Sequence, residues 1–273
     1  MSSLVSLAGE KIVQYGRGIH IGDCFLSQQY DGEKFRNEPA IIEGRTLESH
    51  KSRDGRIRVT GEALSKVAQC ACGYLDISWL PFASQAYHTS PNIADYVLVD
   101  VPIVVATYPN RNMDAFSYKQ LTTYRPIIGR IAYQTFIGKP VHQDHDNQYP
   151  ERAKGVILDA TLVPFRGKWH VKILKGFDRS KDARLAGLVQ KKNRIGHSMG
   201  SLVEQTECSL PWCRFHSDGR ITCDDIKNGA GKGTIIRSHL VYENMMDFYY
   251  VESSSVEDPA YPIAISENIW GVG

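Results

Sequence analysis

From residue 96 onward, runs of β-branched and other apolar residues alternate with short polar turns, and the pattern predicts strands. Residues 96–107, Tyr-Val-Leu-Val-Asp-Val-Pro-Ile-Val-Val-Ala-Thr, make the most continuous run. Residues 156–164 and 169–174 predict two further strands, and the turn Phe165-Arg166-Gly167-Lys168 between them predicts a hairpin. Residues 182–193 place Leu185, Leu188 and Val189 on one helical face, and this helix delivers the chain into a strand around Ser198. Residues 248–256 open on Phe248-Tyr249-Tyr250-Val251 and predict the last strand.

Residues 1–95 are less regular, with polar turns such as Tyr15-Gly16-Arg17-Gly18 and Arg53-Asp54-Gly55-Arg56 between short apolar pieces. They read as an N-terminal extension. Within it, Leu64, Val67, Ala68 and Ala71 follow Thr60, a good N-cap, at helical spacing, which predicts a helix over 61–75 with Cys70 and Cys72 on it. His88-Thr89-Ser90-Pro91-Asn92 reads as a turn, after which a domain spanning 96–273 begins. Strands interspersed with isolated helices, without a regular βαβ alternation, indicate the α+β class.

The composition narrows the function. In 273 residues, 42% are hydrophobic and 23% charged, as in an ordinary globular protein. A net charge of +2 gives no clustered basic footprint for nucleic acid. No apolar run is long enough to span a bilayer, and Met1-Ser2-Ser3-Leu4-Val5 lacks the basic start and apolar stretch of a signal peptide, so a cytoplasmic protein is expected. Six cysteines are too few for a disulfide scaffold in a chain of this length, and would remain thiols or bind metal.

Candidate chemistry centres on Ile195-Gly196-His197-Ser198-Met199-Gly200, where small residues frame one serine. The string lacks the first glycine of the nucleophile elbow, and its Ser would follow rather than precede the base in sequence, so an α/β-hydrolase esterase fits poorly. A serine hydroxyl needs a base to accept its proton and a third group to hold that base. His142, His145 and His197 are the nearest histidines in motif terms. On a strand, His197 and Ser198 point to opposite faces, which makes His197 a poor base for that serine.

Taken in order, Val141-His142-Gln143-Asp144-His145-Asp146-Asn147, the Ser198-Met199-Gly200 segment and the acidic strand running from Val251-Glu252 to Pro259-Ala260 resemble the capsid maturation (prohead) proteases of tailed bacteriophages. The resemblance covers roughly residues 96–262. It implies a mainly antiparallel β-barrel flanked by helices, as in the related herpesvirus assemblins. It selects His145 as base, with His142 in reserve, and registers Glu252 as the orienting acid. Glu257 and Asp258, nearer the proline, read as solvated turn residues. The implied activity is that of a serine endopeptidase needing no cofactor for catalysis. Its implied substrates are scaffold or core proteins and the major capsid protein, inside an assembling prohead in the host cytoplasm. Relatives often cut after Glu, and Ile41-Ile42-Glu43 offers a self-cleavage string. Herpesvirus relatives act as dimers, so self-association belongs to the same expectation. The competing reading is a non-enzymatic capsid or tail component, or a zinc-bearing binding module.

A Cys-rich insertion at about 206–235 separates the Ser198 strand from the last one. Cys208, Cys213, His216 and Cys223 form a set that suits a structural zinc, with His239 or Asp225 as substitutes for His216. The spacing departs from the usual Cys-x2-Cys knuckle, and three reduced cysteines are the plain alternative.

Overall fold

The computed structural model describes residues 79–126, 128–165, 167–191, 195–213, 215–218, 223–226 and 231–271, together with strands at 40–43, 48–49, 56–59 and 74–76. The helix expected over 61–75 falls outside these residues except at its end, which is strand instead. Cys70 and Cys72 also lie outside them. Strands β1 (Ala40–Glu43), β2 (Glu48–Ser49), β3 (Arg56–Val59) and β4 (Tyr74–Asp76) form a sheet ordered β2-β1-β3-β4. Glu43 is the last residue of β1, paired with Glu48.

The chain then enters helix α1 (Leu80–Tyr87), which the sequence pattern did not reveal; Pro81, which reads as a breaker, sits in its first turn, where a missing N–H costs nothing. Trp79, Leu80, Ala83, Tyr87 and Ile93 join the main core, so the packed body reaches back ahead of residue 96.

The principal sheet uses β5 (Tyr96–Val105), β6 (Asp114–Ala115), β9 (Pro140–Gln143), β10 (Gly155–Phe165), β11 (Lys168–Asp178), β12 (Gly196–Cys208), β13 (His216–Asp218), β16 (Glu243–Val256) and β17 (Asn268–Gly271). Between them lie the short pairs β7 (Tyr124–Arg125) with β8 (Arg130–Ile131) and β14 (Ile235–Ile236) with β15 (His239–Leu240), and helices α2 (Tyr118–Leu121) and α3 (Ala183–Lys191). The order is β13-β12-β16-β9-β10-β11-β5-β17, with β6 added to β16. The class is therefore α+β, dominated by strands, and among the described residues no helix is long and apolar enough to cross a membrane.

The expected antiparallel barrel is corrected in two respects. The sheet is mixed, because β16 runs parallel to both β9 and β6. It also stays open: among the described residues β13 pairs only with β12 and β17 only with β5. The two halves meet at β9, which is only four residues long and makes three pairs to β16 and two to β10. One core nevertheless spans both halves, from Val99 and Ile173 to Phe248 and Tyr250.

All ten residues of β5 are buried, which explains its uninterrupted apolar run, since a strand covered on both faces need not alternate. Pro102 is tolerated because β17 pairs only with residues 97–100, so the missing N–H falls beyond that neighbour, and β11 adjusts register opposite it. On α3, Leu185, Ala186 and Val189 are buried and Leu188 is exposed. Residues 185, 186 and 189 span one arc of a helix turned 100° per residue, and Leu188 falls on its flank.

Candidate active site

Four features of β16 and its neighbours build the site. In β12, Ser198 stands directly across from Ser254 of β16, and Gly200 across from Glu252. Cross-strand partners share a face, as do residues two apart, so Ser198, Gly200, Glu252 and Ser254 all lie on one side of the sheet. β9 flanks β16 in parallel, with His142 aligned to Ser254, and its chain leaves the sheet in a tight turn just beyond.

That turn delivers the base. Asp144 (φ 50°) and His145 (φ 56°) both occupy the left-handed region, and Asp146 N–H closes the turn on the Gln143 carbonyl at 2.9 Å. Two successive positive φ values mark a type I′ turn. Asp tolerates that region readily, His less so. The Ser254 hydroxyl offsets the cost by accepting the His145 backbone N–H at 3.1 Å, while Asp144 N–H donates to the Ser255 carbonyl at 2.9 Å.

The imidazole is thereby aimed at Glu252. His145 Nδ1 lies 2.7 Å from Glu252 Oε1, and Glu252 Oε2 accepts the Ser254 hydroxyl at 2.8 Å. An ionised carboxylate can only accept, so Nδ1 carries the proton and Nε2 is left as the acceptor. The Glu252 side chain is 2% exposed and that of His145 42%, giving a buried carboxylate beneath an accessible imidazole. The hydrogen bond to Glu252 raises the His145 pKa above its ordinary value, against the opposing effect of burial.

Gly200 makes room for this pair. A Cβ at that position would stand 2.7 Å from Glu252 Oε1 and 2.9 Å from its Cγ, closer than side-chain carbons approach. The glycine two residues after Ser198 is thus required by the carboxylate packed over it.

The structure therefore joins His145 to Glu252 and puts Ser198 on the same face. Among the described residues the Ser198 hydroxyl makes no hydrogen bond to His145. Such contacts are often long before substrate binds. A cleft of about 150 Å³ runs along β12 at residues 197–201, walled also by Ile103, Phe116, Met245, Tyr261, Asn110 and Asp114; its lining includes His197 and Met199 and neither His145 nor Glu252, and Asp114 is paired to Lys232 at 2.5 Å.

The other candidates are placed differently. His142 is fully buried, and burial pushes its pKa down to about 4, so it stays neutral inside the protein. His197 is on the opposite face from Ser198, buried against Lys175 and Ser266. Glu257 and Asp258 are exposed in the bend after β16, with Asp258 on Arg111.

In the Cys-rich insertion, the sulfurs of Cys208, Cys213 and Cys223 lie within 4.8 Å of one another. Cys208 and Cys223, with Leu210, Ile226 and Val241, form a small second core, and burial pushes the Cys208 thiol up to about 12. The fourth expected ligand is corrected. His216 pairs with Glu207 across β12 and β13 and lies exposed, 3.8 Å from its carboxylate, because the strand register points it away. His239 packs edge-on against Trp212 instead, and Asp225 is not part of the cysteine group. Three thiols able to hold a metal ion are what the described residues bring together.

Sequence reasoning placed Gly200 only in the small-residue frame around Ser198, and missed the roles of Ser253, Ser254 and Lys175. The run Ser253-Ser254-Ser255 on an otherwise aromatic and apolar strand was the available signal, since three small hydroxyl residues are poor strand formers unless they have partners. No family model, no curated protein and no solved structure matches the chain.

Proposed function

We propose that the protein is a serine endopeptidase of the prohead-protease type, with Ser198 as nucleophile, His145 as base and Glu252 as orienting acid. The observation that carries this reading is the 2.7 Å bond between an accessible imidazole and a buried carboxylate, on the face that also bears Ser198. In the proposed reaction Ser198 Oγ bonds to the peptide carbonyl carbon as its proton passes to His145 Nε2. That proton then goes to the departing amine as the C–N bond breaks, and water hydrolyses the acyl ester to restore Ser198. Glu252 stabilises the imidazolium that forms between these steps.

The resemblance extends the proposal to fold kinship with the herpesvirus assemblins and to self-association. It places the work in the host cytoplasm, inside the assembling prohead. It gives capsid scaffold or core proteins and the major capsid protein as substrates, with cleavage after Glu and self-cleavage after Glu43. The three-cysteine group adds a structural zinc, held by Cys208, Cys213 and Cys223, that braces the insertion between β12 and β16 without entering the chemistry.

Intact-mass spectrometry of the wild-type chain and of Ser198→Ala, each alone and then with a capsid scaffold protein, tests the reading. Cleavage by wild type alone supports it, and the product masses give the bond cut. Cleavage by both proteins, or by neither, favours the structural capsid component or binding module.

A further inference from the structure

Lys175 is the least expected residue in the core. It lies on β11 with its side chain fully buried, flanked by Val99 of β5 and Ile157 of β10 in the sheet, and its Nζ stands 5.3 Å from the centre of the Phe177 ring. A buried amine is costly unless its donors are satisfied. Its partners are two side chains from the strands that carry the candidate triad: Ser253 Oγ at 3.1 Å and His197 Nδ1 at 3.0 Å.

Donor and acceptor capacities fix how these bonds continue. A charged amine has donors only, so His197 Nδ1 accepts and Nε2–H donates to Ser266 Oγ at 2.8 Å. The Ser266 hydroxyl donates in turn to the Ile195 carbonyl at 3.5 Å, a long bond. In the other direction, Ser253 Oγ accepts from Lys175 and donates to the Ser198 carbonyl at 2.7 Å. One buried amine thus heads two hydrogen-bonded chains that end on the backbone at 195 and at 198, either side of the first two residues of β12.

We propose that Lys175 is a positioning residue, which through Ser253 and His197 fixes the backbone of Ser198 from the interior face while His145 and Glu252 act on the outer face. The inference rests on the hydrolase reading of Ser198. It also assigns Lys175 an electrostatic role. Its charge opposes protonation of His145, whose other charged neighbours are Glu252 and Asp144. Lys175 itself faces Glu252 and His197, and its charge also reaches His142, which in turn feels Asp146. Burial lowers the Lys175 pKa to about 7, so the positive charge is present on the acid side of neutrality.

The test is the rate at which a serine-directed fluorophosphonate labels Ser198 as a function of pH, in wild type, Ser253→Ala and Lys175→Met, with melting temperatures measured in parallel. Ser253→Ala breaks one chain but retains the amine, and is expected to slow labelling about tenfold or more with the pH midpoint unmoved, as for a small misplacement of a reacting group. Lys175→Met, nearly equal in volume and uncharged, is expected to slow labelling and move the midpoint to higher pH. Variants that melt lower but label at the wild-type rate and midpoint overturn the proposal, leaving Lys175 a scaffold residue. If Lys175→Met does not fold, Ser253→Ala alone decides. A folded wild type that is not labelled at Ser198 overturns the hydrolase reading, and this inference with it.

Discussion

Gly200 and Glu252 are cross-strand partners so close that a single methyl group between them would displace the carboxylate, with 2.7 Å separating the site of the absent Cβ from Oε1. Alanine is a better strand residue than glycine and would not disturb β12 by propensity. Gly200→Ala is therefore expected to leave the fold intact while turning Glu252 away from His145. Peptide cleavage should fall about a hundredfold, the cost of an orienting group misplaced by roughly 1 Å. Steady-state kinetics with a cleaved scaffold peptide, beside circular dichroism, checks this. Unchanged kcat/KM in a folded variant would remove Glu252 from the site.

Glu252→Gln removes the charge but retains the shape. The carboxylate raises the His145 pKa by bonding to Nδ1–H, so the variant should titrate His145 at a lower pH than wild type, measured by NMR of the imidazole carbons. In the folded wild type a raised pKa means His145 binds its proton more tightly than in the unfolded chain. Its contribution to stability is complete below the unfolded value, about 6.5, and is lost as pH rises through the higher folded value. Glu252→Gln should abolish that contribution, and should lower kcat by about 10²–10⁴ as the orienting charge is lost.

Much of the framework was legible because it is written in side-chain type. The β-branched run at 96–107, the hairpin around Gly167 and the helix before Ser198 all follow local rules that tertiary context did not override. Ser198, His145 and Glu252 were picked out by the order of their motifs, not by any local property. Lys175 was unreadable for a physical reason: a lysine is almost never fully buried, so the strand expected at 169–174 stopped one residue before it, whereas β11 continues to Asp178 with the amine inside. The open, mixed sheet was equally hidden, since it depends on β9 choosing β16 as a parallel neighbour across more than a hundred residues, and pairing partners leave no trace in periodicity.

His142 should make the protein sensitive to acid. Burial lowers its folded pKa to about 4, whereas the unfolded chain titrates at about 6.5. Between these values the unfolded state binds the extra proton, so stability is retained above the unfolded pKa and is lost as pH falls towards 4. The full loss is about 3 kcal/mol. Urea unfolding at pH 7 and pH 5 should show wild type weakening more steeply than His142→Gln. Parallel pH dependence in the two proteins would assign the acid sensitivity elsewhere.

Lys232 joins two buried carboxylates, Asp114 at 2.5 Å and Glu243 at 2.6 Å, and so ties the strands β6 and β16 beside the cleft to the end of the insertion. Removing the shared cation leaves two anions facing one another in a poorly solvated place, a situation that costs about 3–5 kcal/mol. Lys232→Met should therefore lower stability by that order at pH 7. Chemical denaturation at pH 7 checks this, and a Lys232→Met protein as stable as wild type would mean that the pair is solvated in solution.

The cysteine group yields the last prediction. Cys208, Cys213 and Cys223 converge within 4.8 Å in a small core that has few other apolar members, and such a core is rarely stable without a staple. Three thiolates suit zinc, and a bound ion would supply folding energy to the insertion directly. Protein purified without chelator should carry about one zinc per chain by elemental analysis. Chelation should lower its melting temperature, and Cys213→Ser should abolish both the zinc and the response to chelator. Because the cysteines belong to a second core separate from the main one, the metal-free protein should still label at Ser198 wherever it remains folded. Metal-free wild type with an unaltered melting temperature would identify the group as three reduced thiols packed for their apolar surface alone.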